Sequence, residues 1–324
     1  MMQPVGVPTA GDTVEILLST YNGAPYLDAM LQSLVDQTCP DWTLTVRDDR
    51  SSDATPHILE RWRQRLPGRI RWIDADERIN LGVVASFSRL LTQSTGAYVM
   101  FADQDDIWLP RKIEAALAGM RAEEARRPAG WPVLAHSDAV VVDRDLKPLG
   151  QTAWRNQGAR PEKRSTFSRL MVENVVLGCT MMLNRPMVEA AGEVPLAAVY
   201  HDWWLALVAS ALGSIVALPD AHIHWRRHGA NDSEMSDVRA AFRKAVASPG
   251  AMRGRLRELL EASQPRVAQF LARYRDRLAP DQIAAAEAFL GLTRQGFLAR
   301  RWRILRRRLF FVSPLRTVGM LALI

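Results

Sequence analysis

The first 130 residues alternate short apolar runs, rich in β-branched residues, with amphipathic stretches, and the spacing leaves room for one helix between successive strands. The candidate strands are Val14–Leu18, Thr43–Arg47, Ile70–Ile73 and Ala97–Phe101. Between the first two, apolar residues recur at helical spacing from Tyr26 to Val35, which predicts a helix lying on a sheet. Right-handed crossovers of this kind predict a parallel sheet that binds ligands beyond the carboxyl ends of its strands.

The pattern is less regular from residue 132 to residue 227, and we interpret this stretch as the second half of the same α/β domain. Its candidate elements are the helix Asp202–Leu212 and the strands Ala139–Val142, Cys179–Leu183, Ser214–Leu218 and Ala221–Trp225. After His228 the chain is rich in Ala, Arg and Leu, with helical stretches that Pro and Gly residues separate. We therefore expect an α/β domain over residues 1–230 and a helical C-terminal region over residues 231–324.

The charge of the chain is concentrated at its end. The net charge is +7, and the segment from Arg294 onward carries eight arginines and no acid, which leaves 34 basic and 35 acidic residues elsewhere. This distribution argues against a nucleic-acid-binding globule and for a local basic patch with a particular partner. The two cysteines, Cys39 and Cys179, are too few for a disulfide scaffold or a cysteine-rich zinc module.

Neither a leader nor a membrane span is expected. The first residues contain no basic flank followed by an apolar run, so we expect no signal peptide or N-terminal anchor. The longest nearly uncharged stretch, Leu309–Ile324, contains Arg316 and falls short of the ~20 apolar residues that cross a bilayer.

Carboxylates cluster where ligands should bind. The segments after the first, second and fourth strands are Ser19–Gly23, Asp48–Asp53 and Ala102–Asp106. Such a cluster needs a cation or hydrogen-bond donors to stay ionised, and Asp103 and Asp105 have a spacing that can aim two carboxylates at one region. Oxygen ligands favour Mg²⁺ or Mn²⁺ over Zn²⁺. The alternative is that these acids are helix N-caps, which we expect of Asp53 before the run Ala54–Leu66.

Seven segments in order resemble the inverting glycosyltransferases of family 2, over roughly residues 13–230. They are STYNG, VRDDRSSD, NLG, FADQDDIWLPRKI, NVVLGCTMMLNR, HDWW and WRRHG. The resemblance implies the GT-A nucleotide-diphospho-sugar transferase fold, an α/β fold with a Rossmann-like mixed sheet. The segments DQDDIW and HDWW are most similar to those of bacterial rhamnosyltransferase-type members, which build cell-surface polysaccharides.

The resemblance also implies a nucleotide-sugar site. Its residues are Ser19, Tyr21, Asn22, Asp48, Asp49, Asn80, Gly82, Asp103, Gln104, Gly178 and Arg227. Asp49 would accept the pyrimidine N3–H, and the ring of Tyr21 offers a stacking face. Asp48 would contact the nucleotide or only stabilise its turn, and the Asn80–Gly82 element would lie beside the nucleotide or form only a turn.

In the family, the aspartate-x-aspartate motif binds a metal that bridges the two phosphates of the donor. It corresponds to Asp103-Gln104-Asp105, so the resemblance makes Asp105 the direct metal ligand and His228 a second group that contacts the metal or diphosphate. Arg226 and Arg227 are placed in sequence to help hold phosphate. The neighbouring His222 and His224 are interpreted as ordinary strand residues.

An inverting transfer needs one general base to take the proton of the acceptor hydroxyl. The family's base corresponds to Asp202 at the start of a helix, where it could also be an N-cap. Trp203, Trp204 and Trp108 are candidate walls against an acceptor sugar. Gly178 would let backbone approach a sugar closely, and Cys179 beside it is interpreted as a small core residue because inversion needs no covalent intermediate.

The arginine-rich segment 300–308 alternates with apolar residues and is typical of an interfacial helix on an anionic membrane. A peripheral enzyme on the cytoplasmic face is the consequence; the alternative is a solvated helix packed on the catalytic domain. The chain lacks the Gln-x-x-Arg-Trp motif and the multiple membrane helices of processive synthases, which favours transfer of one sugar or a few.

The sequence therefore predicts a metal-dependent inverting glycosyltransferase, with dTDP-L-rhamnose as the favoured donor and a glycan or lipid-linked acceptor. The alternatives are a family 2 transferase with a UDP-hexose donor and a catalytically silent sugar-nucleotide-binding scaffold of a membrane assembly complex. A sugar-nucleotide-forming nucleotidyltransferase would need a glycine-rich basic loop after the first strand, and STYNGAPY contains no basic residue.

Overall fold

One nine-stranded mixed sheet organises the computed structural model, which describes residues 13–75, 79–159, 166–228, 249–311 and 314–323. The strands are β1 (Val14–Thr20), β2 (Trp42–Asp48), β3 (Ile70–Trp72), β4 (Tyr98–Asp103), β5 (Ile107–Trp108), β6 (Val133–Val142), β7 (Pro148–Thr152), β8 (Met182–Asn184) and β9 (Ser214–Arg226). Their order in the sheet is β3-β2-β1-β4-β8-β6-β9-β5, and β7 pairs with β6.

Helices flank both faces of this sheet. They are α1 (Ala24–Val35), α2 (Thr55–Arg65), α3 (Val83–Thr92), α4 (Lys112–Glu124), α5 (Ala153–Gln157), α6 (Phe167–Leu170), α7 (Arg185–Ala191), α8 (His201–Leu212), α9 (Pro249–Tyr274), α10 (Pro280–Leu290), α11 (Phe297–Arg307) and α12 (Pro314–Leu323). Among the residues described, no helix is both long enough and apolar enough to span a bilayer.

The first four predicted strands are confirmed as β1 to β4, and β1 pairs in parallel with both β2 and β4. Each strand is an apolar run because helices cover both faces of a parallel sheet. The register places Ser19 opposite Asp103 and Thr20 opposite Asp48, so the ends of three strands meet at one edge. This edge is where the polar segments of the sequence converge.

The second half of the sheet differs from the sequence prediction in two places. Residues Gly178–Thr180 form a 3₁₀ turn, so only the end of the predicted strand Cys179–Leu183 belongs to β8, which is antiparallel to β4. The two runs predicted on either side of Pro219 form the single strand β9, whose register against β6 shifts there. Proline cannot donate to the ladder, so a bulge carries the strand past it.

His222 and His224 lie on β9 beside β5, as ordinary strand residues, in agreement with their interpretation from sequence. Cys39 and Cys179 are buried free thiols, so neither forms a disulfide.

The C-terminal helices pack on the same sheet as the rest of the chain. Ile16 and Leu18 on β1 face a core formed with α1, α2 and α4, while Leu17 faces the opposite core. That second core contains residues of α3 and α8 together with Phe270 of α9 and Phe289 of α10. The boundary predicted near residue 230 falls outside the described residues.

Candidate active site

Hydrogen bonds join the segments that follow β1, β2 and β4 into one rim. The Tyr21 N–H donates to Oε1 of Gln104 at 2.9 Å, and Nε2 of Gln104 donates to the Tyr21 carbonyl at 2.9 Å. Asn22 has a φ of 48°, a conformation that Asn tolerates, and its Oδ1 accepts from the Ser52 N–H at 2.8 Å. The ring of Tyr21 stays 52% exposed at this rim, where a planar base could stack on it.

Asp49 is buried and holds the Asn-Leu-Gly turn. Its Oδ1 lies 2.5 Å from Nη1 of Arg47 and accepts from the Leu81 N–H at 2.7 Å, and its Oδ2 accepts from the Gly82 N–H at 2.7 Å. Asn80 Nδ2 donates to the Asp49 carbonyl, and Gly82 has a φ of 77°, which favours glycine. Three donors therefore occupy most of the acceptor capacity of this buried carboxylate.

Asp48 and Asp53 stabilise local turns. The Asp48 carboxylate accepts from the hydroxyls of Thr20 and Ser51 at 2.8 and 2.6 Å, so the structure shows the turn-stabilising role that the sequence left open. Asp53 accepts from the first N–H groups of α1 and α2, at 3.1 and 2.9 Å. It therefore holds the beginning of both helices, although the residue at the N-cap position of α2 is Ala54.

Asp105 and His228, the two predicted metal-binding residues, lie together. Oδ2 of Asp105 is 2.8 Å from Nε2 of His228, whose ring stacks on Tyr26 with centroids 4.7 Å apart. Asp103 is close enough for their charges to affect it: burial, together with the charges of Asp105 and Asp202, raises its pKa to about 7. The side chains of Asp105 and His228 offer an oxygen and an imidazole nitrogen at one point of the rim, a donor set that suits Mn²⁺.

Arg226 holds the acidic turn rather than an open phosphate position. Its side chain is buried, its Nε donates to the Asp105 carbonyl at 2.7 Å, and its backbone N–H donates to Oδ1 of Asp106 at 3.0 Å. We therefore correct its sequence-based interpretation as a phosphate ligand. Arg227 is partly buried, with its guanidinium 5.0 Å from the centroid of the Trp225 ring.

Behind the rim lies a buried cluster that sequence reasoning missed. Nζ of Lys112 donates to the Cys179 carbonyl and lies 3.4 Å from the centroid of the Trp108 ring. Side-chain ligand atoms of Asp103, Asp106 and Cys179 lie within 4.8 Å of one another. Lys112 supplies positive charge to these acids, although burial lowers its pKa to about 7. The signal for it was the lysine of the DQDDIWLPRKI segment, six residues after the last of the acids.

The Cys179 thiol is not a ligand for a hard ion. Burial raises its pKa, so the sulfur stays protonated, and the amine of Lys112 already faces Asp106 and Asp103. The residues that fit Mg²⁺ or Mn²⁺ are instead Asp105 and His228, with Asp103 beside them. Cys179 thereby has the core position interpreted from the sequence.

Two of the three candidate acceptor tryptophans are core residues. Trp108 and Trp204 are buried, so they cannot form a wall against a sugar, and we withdraw both from the acceptor site. Trp203 is partly buried, and its indole N–H donates to the Leu170 carbonyl at 2.5 Å. The guanidinium of Arg266 lies 3.4 Å from the centroid of its ring.

Asp202 lies in the first turn of α8, in a site that favours its protonated form. Its Oδ1 accepts from Nδ2 of Asn174 and its Oδ2 from the Gly178 N–H, both at 3.0 Å. Burial raises its pKa to about 7. The N-cap of α8 is Tyr200, so Asp202 is not the cap. A Cβ on Gly178 would lie 2.7 Å from Nε2 of His201. The missing side chain of this glycine therefore makes room for the ring of His201.

A single short turn connects the two parts of the site. Gly178 donates to Asp202, and the next residue, Cys179, lies against Asp103. The charge of Asp202 also raises the pKa of Asp103, which reflects their proximity. A carboxylate with a pKa near 7 therefore lies close to Asp103 of the acidic rim, an arrangement that can combine proton transfer with binding of a cation.

Comparison with known proteins gives these residues a context. The sequence model of the family "Glycosyl transferase family 2" matches residues 15–190. TuaG of Bacillus subtilis, a putative teichuronic acid biosynthesis glycosyltransferase, is 27% identical over 185 residues, covering 56% of this chain and 65% of TuaG. The dTDP-rhamnosyl transferase RfbG of Shigella flexneri is 31% identical over 103 residues, covering 31% of this chain and 35% of RfbG. The matched region spans less than two thirds of either relative.

A solved structure agrees with the fold. The mannosyltransferase PcManGT from Pyrobaculum calidifontis, in complex with GDP-Man and Mn²⁺, superposes with a TM-score of 0.55 at 21% identity, over 94% of this chain and 76% of that one. The mixed sheet with helices on both faces is therefore the GT-A fold. With more than half of its length matched by the family model, the chain belongs to glycosyltransferase family 2.

Proposed function

We propose that this chain is an inverting glycosyltransferase that moves a sugar from a nucleotide-diphospho-sugar to a glycan or lipid-linked acceptor in cell-surface polysaccharide synthesis. The observation that carries the proposal is the proximity of Asp202 to the acidic rim, through the turn at Gly178 and Cys179. The similarity to TuaG supports the kind of product.

The donor diphosphate would bind at the rim formed by Asp103, Asp105 and His228. These residues would hold Mg²⁺ or Mn²⁺, and the Mn²⁺ bound with GDP-Man in the Pyrobaculum mannosyltransferase supports this assignment. When bound there, the ion supplies positive charge to the two phosphates of the leaving nucleoside diphosphate. The exposed ring of Tyr21 would stack on the base, and Asp49 would accept its N–H.

Asp202 would act as the general base. The acceptor oxygen forms a bond to the anomeric carbon while the bond from that carbon to the diphosphate oxygen breaks, and the hydroxyl proton moves to Asp202. The partly buried carboxylate, with its pKa raised to about 7, is half ionised at neutral pH, where a general base is most effective. Trp203 is the remaining candidate for an acceptor contact.

We infer dTDP-L-rhamnose as the donor. The segments DQDDIW and HDWW support this choice, as does the similarity to RfbG. A UDP-hexose donor and a silent nucleotide-sugar-binding scaffold are the two outcomes that a donor panel separates from it.

The test is a transfer and donor-hydrolysis assay with dTDP-L-rhamnose, UDP-glucose and UDP-N-acetylglucosamine, with and without Mn²⁺. We expect Asp202→Asn to lower turnover by ~10²–10⁴-fold and Asp105→Ala to abolish the metal dependence. Asp220→Asn, which removes an exposed carboxylate from the bulge of β9, is the matched control and should leave turnover unchanged. Donor binding without turnover by the wild type would favour the scaffold, and full activity of Asp202→Asn would refute the mechanism.

We further propose that α11 attaches the enzyme to the cytoplasmic face of an anionic membrane. Leu298, Trp302 and Leu305 share one face of this helix and are 78%, 56% and 54% exposed. Arg301 and Arg306 flank this face, and Ile304 on the other side is buried in the core. The helix is therefore packed on the protein and still presents an apolar face bordered by arginines, which matches the chemistry of an anionic interface.

Vesicle sedimentation tests this attachment. We expect binding to phosphatidylglycerol vesicles and little binding to phosphatidylcholine vesicles, since each basic residue near an anionic surface contributes about 1 kcal/mol. Trp302→Ser with Leu305→Ser should release the protein, whereas Leu149→Ser, at an exposed leucine of β7, should not. Equal binding by both variants would refute the attachment through α11.

A further inference from the structure

Arg266 is a buried arginine of the helical C-terminal region that packs on Trp203, the residue after Asp202. It lies on α9 and is 0% exposed. Its guanidinium stacks 3.4 Å from the centroid of the Trp203 ring. Its closest carbonyl contacts, to Ala198 and Met171, are both long at 3.4 Å, and within the described part of the chain its Nε has no hydrogen-bond partner.

A guanidinium held this way needs a negative charge nearby. Burial without good hydrogen bonds is costly for a cation unless an anion compensates it. Trp203, on which the guanidinium stacks, directly follows Asp202 in the chain, and the charge of Asp202 opposes the lowering of the Arg266 pKa, to about 9, that burial causes. Arg266 in turn lowers the pKa of Asp202 against the larger effect of burial.

The surroundings of Asp202 contain no second cation that acts this way among the described residues. Asn174 and Gly178 donate hydrogen bonds to it. His201 is neutral because burial lowers its pKa to about 3, and Asp103 is an acid whose charge would disfavour a second ionised carboxylate. Lys112 faces Asp103 and Asp106 instead. Arg266 is thus the group that favours the ionised base.

We propose that Arg266 is a positioning residue of the transferase: it fixes the ring of Trp203 and stabilises the ionised carboxylate of Asp202, so that α9 completes the active site. This inference rests on the proposed role of Asp202 as the base. It gives the C-terminal helical region a part in the reaction that is separate from membrane attachment.

The matched variants are Arg266→Met, which keeps the stem and removes the charge, Arg266→Lys, which keeps the charge, and Arg273→Met. Arg273 is on the same helix, lies over the ring of Trp204 at 5.9 Å and donates to the Glu193 carbonyl at 2.6 Å. It anchors α9 to the catalytic domain in a comparable way. Its charge is not among the causes that shift the pKa of Asp202.

The first measurement is the pH profile of kcat/KM for dTDP-L-rhamnose. Loss of a nearby positive charge raises the pKa of a carboxylate, so Arg266→Met should move the acid limb to higher pH by at least about half a unit, a loss of ~3-fold or more below pH 6. Arg266→Lys should restore most of the profile, and Arg273→Met should leave its position unchanged. A wild-type profile for Arg266→Met, or an equal shift for Arg273→Met, would overturn the proposal.

The second measurement does not depend on turnover. Urea unfolding at pH 8 of the wild type, Asp202→Asn, Arg266→Met and the double variant reports whether the two side chains interact. We expect Asp202→Asn to raise the unfolding midpoint more in the Arg266→Met background than in the wild type, because the carboxylate is then uncompensated. An equal rise in both backgrounds would refute the interaction. If Arg266→Met does not fold, the same cycle is run with Arg266→Gln, which also removes the charge and should show the larger rise; a rise equal to that of the wild type would again refute the interaction.

Discussion

Asp202 should make the enzyme less stable as the pH rises, and the size of this effect follows from its burial. The carboxyl has an ordinary pKa of 3.8 and a pKa of about 7 in the folded protein, where burial is the largest cause. Because the folded state binds this proton more tightly than the unfolded state, its contribution to stability is present at low pH. This contribution is lost as the pH rises from about 4 to about 7. Above that range the titration of Asp202 no longer changes the stability.

The magnitude can be worked out from these two values. A difference of about three pKa units corresponds to about 4 kcal/mol in full, which is an upper limit. About 2–3 kcal/mol of it falls between pH 5 and pH 8, since the unfolded state begins to lose this proton near pH 4 and the remainder of the change is complete below pH 5. Asp202→Asn cannot titrate, so it should lack this part of the pH dependence. It also disturbs the hydrogen bonds from Asn174 and Gly178, at a pH-independent cost of about 1–2 kcal/mol.

The assay is urea unfolding of the wild type and Asp202→Asn at pH 5 and pH 8. We expect the difference in unfolding free energy between the two proteins to change by about 2–3 kcal/mol in favour of the variant as the pH rises. The control is Asp220→Asn, at an exposed carboxylate, whose curve should run parallel to that of the wild type. If the unfolding free energy of Asp202→Asn changes with pH in parallel with that of the wild type, the site does not raise the pKa of this carboxylate. The assignment of Asp202 as a base with a pKa near 7 then fails.

Three further results are expected. Gly178→Ala should destabilise the protein by about 1–3 kcal/mol, because its Cβ would lie 2.7 Å from Nε2 of the buried His201, and thermal unfolding measures this. Lys112→Met should cost about 1–3 kcal/mol in chemical unfolding because it leaves the buried Cys179 carbonyl without its donor and removes the amine from the face of the Trp108 ring, and a loss below about 0.5 kcal/mol would contradict the buried cluster. Cys179→Ala should keep turnover within about twofold in the transfer assay, since burial keeps the thiol protonated; a loss of 100-fold would make it a reacting group.

The parallel half of the fold was predictable because its strands are continuous apolar runs. Val14, Ile16 and Leu18 pack on one side of β1 and Leu17 on the other, so local composition alone identifies the strand. The insertion of β8 between β4 and β6 was not predictable, since the order of antiparallel strands depends on contacts between distant segments. The join of the two runs at Pro219 was missed because a proline normally interrupts a strand, and here a bulge accommodates it.

In the candidate site, too, local sequence predicted some features, while others depend on contacts between distant segments. Asp105 and His228 could be paired before the structure only through the order of the family's segments, since spacing alone carries no information about their contact. The burial of Trp108 and Trp204 could not be read from the sequence, because a tryptophan beside a motif looks the same in a core and in a cleft. Lys112 and Arg266 were missed for a related reason: lysine and arginine are seldom fully buried, and no local pattern marks the exceptions.

The central claim is that the rim of Asp103, Asp105 and His228 holds a divalent ion that binds the donor diphosphate. A thermal-shift titration with dTDP and UDP, with and without Mn²⁺, tests it most directly, because ligand binding to the folded state raises Tm. We predict that the wild type is stabilised by nucleoside diphosphate only when Mn²⁺ is present and that Asp105→Ala loses this response. Stabilisation of equal size without metal, or an unchanged response in Asp105→Ala, would contradict the account.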